Sequence, residues 1–498
     1  MSGPPGLESL GGARGDLSLF VRSARDLIKR PPVTCAPATP VSEAARLMTE
    51  CDIGSVVIAD ATGAPLGIVT DRDLRSRVVA RGLPGDTPVA GIMSSPLRSV
   101  GPAVRAFEAL LEMTRRGFHH LGVVAEGRLI GVVSSHDMLG LQAAHPVGLA
   151  REIDTAESLD ALIATAPRLQ RVVRWLAGVS VGAVEIGRII AELNDRLVRR
   201  TLALVEAALE REGVGRPPVA YAWLAVGSEG RREQTLRTDQ DNGLVYADPA
   251  PDRAGDTEAY FTRFAEAAGA ALARLGFPPC PGGFMASNPR WRRPLSSWLG
   301  EFADWMDTPE PKRLLFASLY CDLRPLAGDE ALAGTLRSWL CERAPSAHLF
   351  LSFMARDALE RRPPLGLLGG FAVSRSGPLR GRLDLKAGAI FPVTQALRVY
   401  ALSLGVPETS TLDRLAAAEA RGAIKVEEAR DLRQAFEVVS RLRLGHQLEQ
   451  LDAGLDPDNW IDPARLGKSD RLLLKEAFKT VGWLQRMLED RFQTNLVS

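Results

Sequence analysis

The stretch GSEGRREQTLRTDQDNGLVY, from Gly227 to Tyr246, contains a Gly-Ser turn followed by an Asp-x-Asp pair that leads into an apolar strand pattern. A second apolar strand pattern, from Tyr221 to Val226, precedes the turn. Side chains two residues apart on a strand point to the same face, so we expect Asp239 and Asp241 to reach one cation together. The backbone N–H groups of the Gly227-Ser228 turn are expected to hold a phosphate. This order of strand, phosphate turn and carboxylates is the one that nucleotidyl transfer needs.

The carboxylate pair suits Mg²⁺, which keeps several waters and bridges one or two carboxylates to substrate phosphates. An Asp/Asn/Gly-rich turn that closes a hairpin is the alternative, because these residues are ordinary turn formers. A calcium loop fits poorly. Gly243 stands one position too early for an EF-hand, and Ala250 stands where the bidentate Glu is needed.

The pattern G-[GS]-x-G-R-x-E followed by [ST]-D-x-D resembles the nucleotidyltransferase module of the uridylyltransferase that modifies the PII nitrogen regulator, within the polymerase-beta-like superfamily. The matching residues are Gly227, Ser228, Gly230, Arg231, Glu233, Thr238, Asp239 and Asp241. The resemblance implies that Gly227 and Ser228 hold the β and γ phosphates of an NTP. It also implies that Arg231 offsets charge on the leaving pyrophosphate.

A third carboxylate is expected, because two metal ions must hold both the attacking and the leaving oxygens. Asp322 is the candidate, since it lies in an apolar run from Leu314 to Arg324 that predicts a core strand beside the pair. The related family often carries D-x-R-x-x-x-G-D here, and the matching residues are Asp322, Arg324, Gly328 and Asp329. Asp304 and Asp307 are the runners-up, and an ion pair between Asp322 and an arginine is the structural alternative.

An internal repeat occupies the N-terminal part of the chain. A helical pattern, a buried strand and a second strand ending near an acidic residue run from Val41 to Asp73 and again from Val104 to Asp137. The signature G-h-h-[ST]-x-x-D closes both copies. A duplicated unit of this kind resembles a tandem pair of CBS domains.

The signature places Thr70 and Ser134 at helix N-caps and Asp73 and Asp137 in the first helical turns. The resemblance implies that the hydroxyls contact a phosphate and the acids hold a ribose, so AMP, ADP or ATP would bind there and regulate the chain. Simple helix capping is the alternative.

Apolar helix faces in the repeat favour a homodimer, because such faces usually pack against a second copy about a two-fold axis. The residues of these faces are Ala44, Leu47 and Met48 in the first copy and Phe107, Leu110 and Leu111 in the second. The alternative is that helices after Pro146 fold back and cover them.

The patterns together predict an α/β (α+β) multidomain chain. Its segments are a disordered N-terminus at 1–19, a tandem CBS pair at 20–145, a helical connector at 146–215, a polymerase-beta-like nucleotidyltransferase domain at 216–330 and an all-helical domain at 331–498. The last segment resembles the substrate-binding domain that accompanies such transferases. Lysine is rare, with seven residues, so Lys386 is a candidate for holding a nucleotide phosphate as a point charge. A solvated helix-cap lysine is the alternative.

The composition argues against several classes of protein. The 61 basic and 60 acidic residues give no excess charge for nonspecific binding of nucleic acid or anionic membranes. Five cysteines without C-x-x-C spacing argue against a disulfide framework and a zinc site. No secretion leader or membrane span is expected, so the cytoplasm is the default compartment.

The expected activity is transfer of NMP from an NTP to an acceptor hydroxyl. No residue identifies the acceptor, and the resemblance implies a tyrosine on a regulatory protein. A nucleotide-sensing interaction protein whose transferase fold no longer catalyses is the alternative function.

Overall fold

A computed structural model of the chain describes residues 23–135, 146–178, 181–236, 239–366 and 369–496. The chain divides into two compact units, the first comprising Met1–Glu152 and Gly178–Val181 and the second comprising Ile153–Ala177 and Gly182–Ser498. Both units combine helices with strands, which confirms the predicted α/β (α+β) class. The segment 1–19 that was predicted to be disordered lies outside the described residues, as does Asp137.

Helices account for most of the regular structure of the described residues. They are α1 (Val41–Glu50), α2 (Asp71–Asp73), α3 (Ala106–Arg116), α4 (Pro146–Thr155), α5 (Leu159–Gly178), α6 (Ala183–Arg211), α7 (Gly227–Gly230), α8 (Ala254–Arg274), α9 (Leu295–Asp307), α10 (Pro311–Tyr320), α11 (Glu330–Arg343), α12 (His348–Leu359), α13 (Phe391–Ser403), α14 (Thr411–Ala420), α15 (Val426–Asp452) and α16 (Lys468–Phe492). The strands are β1 (Thr34–Cys35), β2 (Ser55–Ala59), β3 (Pro65–Thr70), β4 (Ser99–Val100), β5 (His120–Ala125), β6 (Arg128–Ser134), β7 (Tyr221–Ala225), β8 (Asn242–Tyr246), β9 (Arg292–Pro294), β10 (Arg324–Gly328), β11 (Leu383–Asp384) and β12 (Trp460–Ile461).

The two N-terminal repeats form sheets of the same topology. Strand β2 pairs in parallel with β1 and antiparallel with β3, and β5 pairs in the same way with β4 and β6. In the first repeat α1 buries Val41, Ala44 and Met48, whose spacing puts them on one helix face. The shared topology confirms the duplication predicted from the sequence.

The apolar residues that favoured a homodimer are largely buried within the first unit. Ala44 and Met48 are 0% and 3% exposed and pack in a core with Val56. Leu110 and Leu111 are also buried, and the side chain of Phe107 lies outside the described residues. These faces are therefore not free to bind a second copy, because the unit already covers them. The basis of the dimer prediction is wrong, although the dimer itself stays a prediction.

A four-stranded sheet in the order β10-β7-β8-β9 carries the candidate site in the second unit. Strand β7 is antiparallel to both β10 and β8, and β8 is parallel to β9. Every residue of β7 and β8 is buried. Helices α6, α8 and α11 lie against the sheet or its edge. The long helix α6 therefore packs with the transferase sheet, although the sequence analysis assigned it to a separate connector.

The run from Leu314 to Arg324 is helix α10, a short turn and the start of β10, so the prediction of one core strand is wrong. Pro311 occupies the first helical turn, where its missing N–H costs little. Leu314, Ala317 and Ser318 are buried at the spacing of one helix face, whereas Leu315 is exposed. A short apolar run does not distinguish a buried helix from a strand.

The C-terminal part of the second unit is helical apart from the antiparallel pair of β11 and β12. One hydrophobic core runs from the sheet residues Leu224 and Val245 to Val393 in α13 and Phe478 in α16. The C-terminal helices are therefore packed onto the transferase sheet. None of the helices in the described part of the chain has the length and apolar character that a bilayer span requires.

Candidate active site

The turn after β7 begins at Gly227, whose φ is 57°. This left-handed conformation suits glycine because it has no Cβ. A Cβ at this position would lie 3.1 Å from Leu319 Cδ2 and 3.4 Å from Asp241 Oδ2. The backbone of the predicted phosphate turn therefore lies directly beside the second carboxylate of the Asp-x-Asp motif.

Gly230 closes the same turn and packs against the backbone that follows α10. A Cβ on Gly230 would fall 2.0 Å from Asp322 O, so no larger residue fits without movement. Arg324 donates hydrogen bonds to Glu229 O at 3.1 Å and to Gly230 O at 3.4 Å. The same guanidinium forms a bidentate ion pair with Asp195 of α6, at 2.7 and 2.8 Å. Helix α6 thereby fixes the turn through Arg324.

The Asp-x-Asp pair lies just before β8 rather than within it. Gln240, between the two acids, is 3% exposed and donates to Gly269 O at 3.1 Å and to Phe277 O at 2.8 Å. Asp239 is exposed and Asp241 is partly buried. This alternation is that of an extended segment, and it agrees with the expectation that the two carboxylates share a face.

Burial raises the pKa of Asp241, and the nearby Asp239 carboxylate raises it further, against a hydrogen bond from the Cys280 thiol and the charge of Lys386. Two carboxylates that disfavour each other's charge are stabilised by a cation. The donor set fits Mg²⁺, which binds through one or two carboxylates together with substrate phosphates. Among the described residues, no cluster of three or more His, Cys, Asp or Glu side chains is arranged to hold a metal ion.

Asp322, predicted as the third metal ligand, is instead enclosed by three arginines. It is 0% exposed, and its oxygens lie 2.9 and 2.5 Å from Arg398 nitrogens, 2.7 Å from Arg414 Nη1 and 2.6 Å from Arg231 Nη1. Burial raises the pKa of Asp322, but the three guanidinium groups outweigh burial and hold it well below its usual range. Both oxygens are engaged by cations of the protein, so the structure corrects the ligand assignment in favour of the ion-pair alternative.

The runners-up do not replace Asp322. Asp304 is an exposed residue of α9, and Asp307 forms a surface ion pair with Arg343 at 3.3 Å. The structure therefore brings together the Gly227 turn, Asp239 and Asp241, but no third acid among the predicted ones.

Arg231 links the turn to the C-terminal helices. Its Nε lies 2.8 Å from Glu233 Oε2, and its Nη1 contacts Asp322. Glu233 in turn accepts a hydrogen bond of 2.6 Å from Thr411 N at the start of α14. In this structure Arg231 is an anchoring residue, and its role at pyrophosphate stays a prediction.

Lys386 is brought to the acidic pair by the C-terminal region, at the start of the π-helical turn Lys386–Ile390. Neighbouring protein atoms withdraw the Lys386 ammonium group partly from water, which lowers its pKa, and the cation Arg443 lowers it further, whereas Asp241 and Asp239 oppose this change. Lys386 is nevertheless exposed to solvent. A cation close to two carboxylates in an open position suits an anion that binds between them.

The sequence did not predict the buried charged residues that pack against the turn, Glu229, Asp195 and Arg324. Burial raises the pKa of Glu229 to about 8, with Asp195 and Asp241 contributing and Arg324 opposing. The available signal was the run Glu192–Arg196, where charged and amide side chains interrupt the apolar face of a helix. Buried charges need partners, so this run indicated a polar contact with another element.

A separate pocket of about 280 Å³ lies in the first unit. Its lining includes Ser134 and His120, which face each other across β6 and β5, and the basic residues Lys29 and Arg30. Ser134, a predicted nucleotide contact, thus lines this pocket.

Thr70 and Asp73 bind each other in a capping box at α2. Thr70 Oγ1 accepts a hydrogen bond from Asp73 N at 3.3 Å, and Thr70 N and Oγ1 donate to Asp73 Oδ2 at 3.0 and 2.8 Å. This geometry matches the capping alternative. Their predicted roles toward a nucleotide stay predictions.

Three family models match successive parts of the chain. The CBS domain matches residues 24–80 and 89–144, "Putative nucleotidyltransferase DUF294" matches 167–312, and "Putative nucleotidyltransferase substrate binding domain" matches 348–492. The chain belongs to the CBS-domain proteins that carry a DUF294 nucleotidyltransferase domain followed by its substrate-binding domain. The recognition made from the sequence is confirmed, including the order of the domains.

Three relatives each match about a quarter of the chain. An uncharacterized protein of Methanopyrus kandleri is 36% identical over 122 residues, which cover 24% of this chain and 62% of that protein. The CBS domain-containing protein YhcV of Bacillus subtilis is 31% identical over 116 residues, 23% of this chain and 82% of YhcV. A CBS domain protein of Pyrobaculum aerophilum, solved in complex with AMP, is 30% identical with a TM-score of 0.23 and covers 26% of this chain and 98% of its own.

Proposed function

We propose that this chain is a Mg²⁺-dependent nucleotidyltransferase that passes NMP from an NTP to a hydroxyl group, in the manner of PII uridylyltransferase. The observation that carries the proposal is the close approach of the Gly227 turn to Asp241. A Cβ placed on Gly227 would lie only 3.4 Å from Asp241 Oδ2. A phosphate held at this turn would lie next to two carboxylates, and a cation would offset their repulsion. The acceptor is a hydroxyl of a regulatory protein or of a small molecule.

The residues of the site have distinct roles in this proposal. Asp239 and Asp241 would hold Mg²⁺, which when bound polarises phosphoryl oxygens and offsets their charge. Gly227 and Ser228 direct backbone N–H groups at the β and γ phosphates. Lys386 binds a phosphate from the side of the C-terminal region as a point charge. Arg324 fixes the shape of the turn through its hydrogen bonds to Glu229 O and Gly230 O. Arg231 anchors the end of the turn through its contacts with Glu233 and Asp322.

The decisive experiment replaces both acids of the pair by Asn, which keeps their shape and removes their charge. Transfer of label from radiolabelled NTPs in the presence of Mg²⁺ and a cell extract is measured for Asp239→Asn/Asp241→Asn and for the matched surface variant Asp304→Asn/Asp307→Asn. We expect the first variant to lose transfer by a factor of at least about 100, the range seen when a charge-stabilising group is removed from an active site. Equal transfer by the two variants would exclude this site.

An inactive nucleotide sensor is the second candidate function. It is favoured by one observation, the engagement of Asp322 by three arginines, which leaves two carboxylates where two-metal catalysis uses more. Absence of label transfer from any of the four common NTPs, combined with saturable nucleotide binding to the chain, would support the sensor.

Regulation by AMP, ADP or ATP is proposed to act at the pocket that Ser134 lines. A regulatory ligand must bind two states of the chain with different affinity. Calorimetry on the full chain should show binding that Ser134→Ala weakens and that the exposed variant Ser76→Ala in the same unit leaves unchanged. If the nucleotide binds the two variants with equal affinity, its binding site lies elsewhere in the chain.

We further propose a cytoplasmic homodimer that contacts through the first unit. Since the helix faces are covered, the dimer would use other apolar surface. Val79, at 76% exposed, is the most exposed large apolar side chain among the described residues of that unit. Light scattering on wild type and on Val79→Glu measures the oligomeric state. A monomer at micromolar concentration would contradict the proposal.

A further inference from the structure

A pocket in the second unit is not used by the site described above. It encloses about 380 Å³ and lies among α5, α6, the segment before Asp239 and the end of α8. Its walls are mainly apolar, and six of the lining residues are Ile163, Leu169, Val173, Ile190, Leu197 and Phe277. This volume falls in the range of about 300–1,000 Å³ that is typical of small-molecule pockets.

Asn194 supplies a polar group with incomplete hydrogen bonding at this pocket. The residue is 2% exposed, and its Nδ2 donates to Gln234 Oε1 at 2.9 Å. Its Oδ1 has no hydrogen-bond partner in the described part of the chain. If both amides were turned over, the Asn194 nitrogen would be left without a partner instead. In either orientation one buried polar atom of Asn194 is available to a ligand, and buried polar groups are normally satisfied.

We propose that this pocket binds a planar heterocycle with a hydrogen-bonding group at its edge, such as a nucleobase. The apolar walls would cover the faces of the ring, and the Asn194 amide would bind its edge. Gln170 and Arg274 are exposed, so they lie at the open side, where a polar substituent such as a ribose would lie.

The pocket is connected to the candidate active site in two ways. Thr235 and Leu236 line it, and Asp239 follows Leu236 after two further residues. Asn194 also precedes Asp195, the residue that holds Arg324 beneath the Gly227 turn. A ligand that orders this pocket would therefore act on both the turn and the carboxylate segment.

Two sources supply this chemistry, the base of the incoming NTP and a separate effector nucleoside. The inference goes beyond the proposed function, because binding of a base does not require turnover. Uridine and adenosine serve as the probes, each without phosphates, so that neither the phosphate turn nor Mg²⁺ contributes to the affinity.

The test fills the pocket in the full chain with Ala166→Phe, at a half-buried lining position of α5. The matched control is Ala164→Phe, an exposed residue of the same helix that does not line the pocket. Affinity is measured by calorimetry and by saturation-transfer NMR. The pocket of the first unit is unchanged in both variants, so the difference between them reports on this pocket alone.

We expect at least one nucleoside to bind wild type and Ala164→Phe equally and to bind Ala166→Phe at least tenfold more weakly. If Ala166→Phe lowers the melting temperature, Gln170→Trp at the exposed rim narrows the opening without entering the core and gives the same comparison. Binding should persist in Asp239→Asn/Asp241→Asn, which separates this inference from a failure of the transferase proposal.

Competition identifies the source of the base. Displacement of the nucleoside by UTP or ATP with Mg²⁺ assigns the pocket to the substrate base, and simultaneous binding assigns it to an effector; both outcomes support the site. The proposal is overturned if neither nucleoside binds wild type at millimolar concentration, or if Ala166→Phe and Ala164→Phe bind it equally.

Discussion

Replacing Asp322 by Asn separates its two possible roles, a buried partner of arginines and a metal ligand. The Asn side chain keeps the shape of the carboxylate and removes its charge. In the folded protein Arg231, Arg398 and Arg414 all contact this single carboxylate, at 2.5 to 2.9 Å. The substitution therefore leaves three buried cations without the anion that they share.

Removal of one partner from a buried ion pair typically costs about 3–5 kcal/mol. Because Asp322 serves three cations, we expect a loss near the upper end, about 5 kcal/mol. Large domains lose roughly 2 °C in melting temperature per kcal/mol, so the melting temperature should fall by about 10 °C. The folded pKa of Asp322 lies below that of free Asp, so this stabilisation is present above pH about 4 and is lost as the pH falls through the folded pKa.

Scanning calorimetry at pH 7 measures this loss, with Asp307→Asn as the matched control. Asp307 is an exposed partner of Arg343, so its loss should cost less than about 1 kcal/mol. Titration with Mg²⁺ and an NTP is carried out on the same samples. A melting temperature within about 2 °C of wild type, together with lost Mg²⁺ binding, would refute the ion-pair assignment and return Asp322 to the metal site.

Three further outcomes follow from the packing of the turn. Gly230→Ala should lower the melting temperature, because its Cβ would lie 2.0 Å from a backbone oxygen. The control Gly334→Ala, at an exposed helix position, should instead stabilise the protein by about 0.5–1 kcal/mol. Equal melting temperatures of the two variants would contradict the close approach at Gly230. Glu229 has a folded pKa of about 8 against about 4.3 unfolded, so the folded state binds the extra proton and the free energy of unfolding should fall from pH about 4 to 8. Urea unfolding without Mg²⁺ should show that Glu229→Gln flattens this profile, and an unchanged slope would argue against a buried proton. Arg324→Met leaves Asp195 buried without its bidentate partner and should cost about 3–5 kcal/mol by urea unfolding, and a loss below about 1 kcal/mol would contradict this.

The local sequence was sufficient to predict the features that depend only on neighbouring residues. The strand at β7, the glycine turn at Gly227 and the alternation of Asp239, Gln240 and Asp241 each follow from backbone preferences over a few positions. The repeat was visible because two copies carry the same short signature. For the same reason the order of the domains was predictable from the chain.

The role of Asp322 depended on tertiary structure. Its partners Arg231 and Arg398 lie 91 and 76 residues away in the chain, and no local pattern records which distant side chain a buried carboxylate will contact. The same holds for Asp195 and Arg324, which are 129 residues apart. The surrounding run was also misassigned, since a short apolar run is compatible with helix or strand until packing selects one.

Local backbone geometry thus determined the turn and the carboxylate pair, because each is made within about twenty consecutive residues. Which acid is enclosed by arginines was decided by folding, because a buried charge must be paired with opposite charges wherever the packed chain supplies them. In this protein the arginines of α13 and α14 supply them for Asp322, whereas Asp239 is exposed and Asp241 is partly buried just before β8.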